Sequence, residues 1–168
     1  MKKFNTKTLI LMALFAAISI ILSRFMVIWL TQSARISFGS IPILLASLLL
    51  GPVAGGFTGA VADIVGATLF SPFPWYPPLT IPPILVGVLP ALLKPLLLKE
   101  IRIWRIYVII FITNLVTSIG LTTWLLSGLY GTGYLELLVL RAPIAIVVTV
   151  LEGLIVYLLY KRLDKELL

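Results

Sequence analysis

The chain contains no cysteine and no histidine, and only six of its 168 residues are acidic. The first absence excludes disulfides and thiolate ligands. The second excludes imidazole metal sites, histidine-based catalytic triads and histidine proton switching. Charge of either sign is scarce: 11% of residues are charged, 61% are hydrophobic and the mean hydropathy is +1.17. A soluble domain carries about 25% charge and about 45–50% apolar residues, so this composition is that of an integral membrane protein. No G-x-x-x-x-G-K-[ST] phosphate loop is present, and no two Asp residues stand at metal-ligand spacing. A small membrane enzyme is therefore disfavoured, and any use of ATP falls to partner subunits. The composition implies no cofactor.

The apolar residues fall into runs approaching the roughly 20 residues that a helix needs to cross a hydrocarbon core of about 30 Å. Proline, glycine and charge signals predict helices at 8–30, 39–50, 52–70, 80–98, 105–127 and 136–160. The fold class is thus an all-α integral membrane protein of six helices in a single domain, residues 1–168. The first run has no small-residue cleavage site after a short apolar core, so it reads as a retained helix rather than a signal peptide. The second helix is too short to span, at about 18 Å. The stretch "TQSARISFGS" before it is expected to dip into the protein, because irregular backbone at membrane depth must be buried or line a polar cavity.

The net charge of +7 raises the question of nucleic acid, and the placement of the charges answers it. Lys2, Lys3 and Lys7 precede the first run, Lys94, Lys99, Arg102 and Arg105 share one connection, and Lys161, Arg162 and Lys165 form the tail. This is the bias that fixes topology, with both termini cytoplasmic, and nucleic acid is not an expected partner.

The remaining polar residues are out of place in a lipid-facing helix. Asp63 lies within "GGFTGAVADIVG", where a carboxylate costs roughly 2.5–3.5 kcal/mol unless it is satisfied. Gly51, Gly55, Gly59, Asp63 and Ala67 recur every four residues, a small-residue stripe that admits another helix backbone. Asn114, Ser118 and Thr122 share a face of the fifth helix, with Thr117 beside them. Arg141 and Glu152, eleven residues apart, share a face of the sixth but stand about 16 Å apart along its axis, too far to pair directly. Arg24, Arg35 and Arg141 converge on the outer side as a cationic vestibule. Phe73, Trp75 and Tyr76 in one outer loop, with Trp124, Tyr130 and Tyr134 near another, add aromatic faces. Fixed cations with aromatic faces suit a flat, anionic ligand. Two alternatives stay open: Asp63 holding Arg24 or a backbone group to join helices, and the aromatics forming an interfacial belt.

Two segments carry a family resemblance. In "TLILMALFAAISIILSR", Ala13 and Ala17 form an AxxxA pattern; "RISFGSIPILLASLLLGPVAGGFTGAVADIVGATLF" contains R-I-S-F-G-S-I-P, GP-V-A-G-G and A-D-I-V-G. The whole chain resembles a substrate-binding S component of the energy-coupling factor vitamin transporters. The arginine and Phe38-Gly39 stretch tilts the resemblance to the folate-specific branch, whereas GxxxGxxxDxxG is shared by S components for several vitamins. The resemblance implies a six-helix protein of the bacterial plasma membrane that captures a vitamin from outside. It also implies docking, through Ala13 and Ala17, onto one transmembrane coupling protein and two ATPases, and toppling in the membrane to deliver the cargo. Folate would place its pterin edge on Asp63 or Asn114 and its glutamate carboxylates on Arg35, Arg24 and Arg141. Riboflavin, pantothenate or a pterin precursor are the rival cargoes, and an independent transporter is the rival class; cationic thiamine suits a cationic vestibule poorly.

Overall fold

The computed structural model describes residues 5–29, 35–71, 74–98 and 102–167. Lys2, Lys3, Phe73 and Lys99, invoked above, lie outside the described residues, as do the side chain of Lys165 and residues 31–34 of the expected dipping stretch. Six helices are described: α1 (Thr6–Phe25), α2 (Ser40–Leu50), α3 (Pro52–Leu69), α4 (Pro77–Leu97), α5 (Ile103–Tyr130) and α6 (Tyr134–Leu167). All but α2 are long and apolar enough to cross a membrane. The outward faces of these helices remain strongly apolar, as with Ile10 and Leu14 on α1 and Leu135 and Val139 on α6. Surface of that kind belongs against lipid.

Two expectations need correction. The first helix was expected to run to residue 30, because nothing polar interrupts the sequence beyond Arg24. It stops at Phe25, where Met26 leaves helical geometry, and the chain enters a short antiparallel pair, β1 (Ile28–Trp29) with β2 (Arg35–Ile36). Hydrophobicity alone does not distinguish a lipid-facing helix from a strand folded onto the bundle. The fold is therefore nearly, not wholly, helical. Second, α1 and α5 are not uniform α-helices: Ile21–Phe25 and Leu115–Thr122 are wound as π-helix. In α5 the side chains of Thr122 and Thr123 bond the carbonyls of Thr117 and Ser118, five residues back. Such local bonds accompany, and help satisfy, a wider winding.

The short helix is the centre of the molecule. Every residue of α2 from Ile41 to Leu49 is buried, as expected for a helix that is apolar all round. It packs against α1, α3, α4 and α6, and its residues dominate a core completed by Ile106, Ile110 and Val156. Its end is capped from outside: Lys94 donates to Leu48 O at 2.8 Å, and Ser47 Oγ accepts the Ala91 N–H at 3.0 Å. Gly51, at φ 96, then reverses the chain in one residue, and Pro52 starts α3. A side chain at Gly51 would be strained by that φ.

The small-residue stripe on α3 does what its spacing predicts. A methyl group built on Gly55 would overlap the Gly87 carbonyl oxygen, and one on Gly59 would overlap that of Pro83. The α3 and α4 backbones therefore touch, which only glycine permits.

Candidate functional site

One cavity of about 370 Å³ opens between the helices, within the range of small-molecule sites. Its mouth lies by the hairpin and the α3–α4 connection; its floor lies at mid-helix against Ser40, Asn114 and Glu152. The π-wound segments supply much of the polar lining: Ser23 and Arg24 from α1, and Thr117, Ser118 and Thr122 from α5. An added residue per turn re-aims side chains, which is why such segments recur at functional sites.

At the mouth, Arg24 Nη2 stands 3.6 Å from Asp63 Oδ1. Thr80 at the start of α4 donates its hydroxyl to Asp63 Oδ2 at 2.8 Å, and accepts the Trp75 indole N–H at 3.1 Å. A relay thus runs from the connection, through Thr80 and Asp63, to α1. Asp63 does hold Arg24, and it also borders the cavity, so the two readings of this residue are compatible. The Arg24 Nε is buried without a hydrogen-bond partner among the described residues.

Arg35 and Arg141 complete the mouth. Arg35 keeps accessible surface because it faces the cavity, yet protein crowds its other sides. That dehydration, then repulsion by Arg24 and Arg141, lowers its guanidinium to about 10 against the opposing pull of Asp63. It stays charged at neutral pH. Arg141 is oriented by Thr123, whose Oγ1 accepts from Nε at 3.2 Å.

The floor is a buried network. Glu152, 1% exposed, accepts from the Ser40 hydroxyl on one oxygen and from Asn114 Nδ2 at 2.8 Å on the other. Asn114 Nδ2 also donates to Thr149 at 2.9 Å. The network joins α2, α5 and α6, and it fixes where α2 begins: Ser40 has to reach the middle of α6 to meet Glu152.

Seven of the nine sequence-derived binding candidates border this cavity: Arg24, Arg35, Asp63, Trp75, Tyr76, Asn114 and Arg141. Phe38 and Trp124 do not. Phe38 packs against the apolar core beside the first turn of α2. Trp124 follows the fully buried Thr123 by about 100° of helix rotation, which turns it outward to 63% exposure. Ala13 and Ala17 are both exposed on the outer face of α1. Sequence reasoning turned Glu152 toward the bundle but gave it no partner, and it passed over Ser40 and Thr80. A carboxylate in an apolar helix signals that partners exist, but two hydroxyls among many carry no mark of their own.

Comparison with known proteins gives a consistent result. Residues 3–165 match the family described as ECF-type riboflavin transporter, S component. Folate transporter FolT of Clostridium novyi (strain NT) is 26% identical over 98% of this chain and 93% of its own length. The Folate transporter FolT of Leuconostoc mesenteroides subsp. mesenteroides is 26% identical over 79% of this chain and 70% of its own. Among solved structures, FolT bound with folic acid superposes with a TM-score of 0.77 at 26% identity, covering 94% of this chain and 95% of that one. The S component of a bacterial ECF transporter superposes with a TM-score of 0.70 at 25% identity, covering 96% and 97%.

Proposed function

We infer that this chain, which belongs to the ECF-type riboflavin transporter S-component family, binds folate at the outer face of the bacterial plasma membrane. It then delivers the vitamin by way of a shared coupling protein and two ATPases. It is a multi-pass membrane protein and a transporter subunit, not an enzyme. The observation that carries the folate reading is the convergence of Arg24, Arg35 and Arg141 on one cavity in a chain whose relatives are folate transporters. Folate ends in a glutamate with two carboxylates, and guanidinium forks match carboxylates with paired hydrogen bonds. The family description names riboflavin, whose ring is also flat. Riboflavin has no carboxylate, however, and would leave the charge of the mouth unmatched.

In this reading the glutamate tail lies at the mouth and the pterin enters toward the floor. The pterin edge presents amino and ring N–H donors beside a carbonyl acceptor. Glu152 keeps acceptor capacity beyond its two internal bonds and meets these donors, and Asn114, whose two amide hydrogens go to Thr149 and Glu152, offers its Oδ1 as a second acceptor. Trp75, Tyr76 and Tyr130 give aromatic surface along the way. The basic ends of the chain then face the cytoplasm, and Ala13 with Ala17 offers a shallow strip on α1 for close approach of the coupling protein.

Calorimetric titration of the purified chain in detergent, with folate, riboflavin and thiamine, tests the ligand. Folate binding at nanomolar Kd, about −12 kcal/mol, with neither control competing, is the expected result. Tight riboflavin binding in place of folate would keep the family and overturn the ligand. Replacing Ala13 with Trp or Ala17 with Arg is expected to abolish uptake in a reconstituted transporter while leaving Kd unchanged. A loss of binding in those variants would sink the docking role.

A further inference from the structure

A second groove, of about 380 Å³ and lined almost wholly by apolar side chains, lies on the outside of the α5–α6 seam, backed by the Asn114–Thr149 pair. Phe111 and Leu115 of α5 and Ile146 and Val150 of α6 border it, each about half exposed. Their outward surface is continuous with the lipid-facing surface of the bundle, so hydrocarbon is what meets it. Along α5 the groove runs from Tyr107 to Ile119, roughly 18 Å by helix rise, close to the depth of one leaflet in a hydrocarbon core of about 30 Å. A slot of that length and chemistry fits one acyl chain.

Both helices continue the same line toward their basic end. Trp104 stands within about 20° of Phe111 and Leu115 around α5, and Tyr157 within about 20° of Ile146 and Val150 around α6. Each ring carries a cation: the Arg105 guanidinium lies 5.4 Å from the centre of the Trp104 ring, and Lys161 Nζ lies 5.8 Å from that of Tyr157. Arg105 Nη1 is buried without a hydrogen-bond partner among the described residues. The two segments that bring these groups, 94–105 and 161–166, hold seven Lys and Arg against three Asp and Glu, so positive charge prevails there even with every acid counted. Tryptophan and tyrosine mark the headgroup level of a bilayer, and cations at that level attract anionic lipid. Topology requires cations at this end, but not their seating on aromatic rings in line with a groove.

We propose that this face binds one anionic phospholipid, with an acyl chain in the α5–α6 groove and the phosphate beside Arg105 and Lys161. The lipid closes the seam from outside, behind the bond between Asn114 and Thr149. The site is independent of which vitamin the central cavity takes.

Native mass spectrometry of the full chain, with dioleoyl phosphatidylglycerol or dioleoyl phosphatidylcholine added to the same detergent, tests both halves of the site. Phosphatidylglycerol is expected to bind one-to-one and about tenfold more tightly than phosphatidylcholine. That preference is expected to vanish when Arg105→Gln is combined with Lys161→Gln, and to return when Arg105→Lys is combined with Lys161→Arg, which keeps both charges. Val150→Trp fills the groove and should weaken both lipids about fivefold. Inorganic phosphate, which brings no chain, should displace neither. Thermal unfolding without added lipid, expected to match wild type in every variant, controls for folding. Equal affinity of the wild-type chain for the two lipids would overturn the headgroup site, and undiminished binding by Val150→Trp would overturn the groove. Should the chain retain neither lipid, the groove belongs to another occupant, such as a membrane helix of a partner, and the proposal fails.

Discussion

The cavity has two walls made on opposite plans. On the α3–α4 side the helices meet by removing side chains: Gly55 and Gly59 lie against the carbonyls of Gly87 and Pro83. On the α5–α6 side they meet through side chains: Asn114 to Thr149 and Glu152, Thr123 to Arg141, and Tyr107 to Val150 O at 3.0 Å, with its ring seated over Gly153. The first seam leaves no room to move and holds Asp63 in register with Thr80. The second carries the π-wound segment and brings most of the polar atoms to the floor. One wall acts as a fixed frame, and the other carries most of the hydrogen-bonding groups that a ligand meets deep in the site.

The harshest way to break this contrast is Gly87→Val. The added carbons would collide with the Gly55 backbone, so α3 and α4 must part; a loss above about 3 kcal/mol, at the upper end of overpacking, is expected. Thermal unfolding in detergent and the yield of monodisperse protein measure it, and a wild-type melting profile would refute the backbone-contact account. Next comes Glu152→Leu on the other wall. It leaves Ser40 and Asn114 donors buried without their acceptor, at about 1–3 kcal/mol for each orphaned group. Folate affinity should fall with stability here, and a variant that keeps both would show the floor network to be dispensable.

Arg35→Ala separates binding from framework. Its expected effect is a tenfold or greater rise in folate Kd, about 1.4 kcal/mol, with unfolding temperature unchanged or raised by relief of repulsion. An unchanged Kd would remove Arg35 from the site. Tyr107→Phe should do least: one exposed hydrogen bond to Val150 O is lost while the ring still covers Gly153, for about 0.5–1.5 kcal/mol of stability and no change in folate affinity. If affinity falls with it, the α5–α6 seam is coupled to the site more tightly than the static contacts indicate.

These two walls were unequally legible in the sequence. The glycine seam was visible because close backbone approach leaves a spacing rule, and Gly55, Gly59 and Asp63 stand on it four residues apart. The helices were legible for the same reason: lipid demands long apolar runs, and four of the six expected segments match closely at both ends, while α6 runs on to Leu167 where an end at 160 was expected. The end of α1 was not legible, since residues 26–30 are as apolar in a strand-bearing hairpin as in a helix. Nor was the outward turn of Trp124, because the π winding of Leu115–Thr122 shifts every face after it.

The sequence by itself determined that this chain lives in a membrane, how many helices it forms and that its spare arginines outnumber any topological need. Those properties follow from transfer free energy and spacing, which act on residues one segment at a time. Only the tertiary structure decided which polar residues meet. Ser40 and Glu152 are 112 positions apart, and their encounter depends on where α2 begins. That start is set by the packing of α2 against its neighbours. No local pattern records it, because a hydroxyl costs a helix almost nothing until a buried carboxylate needs it.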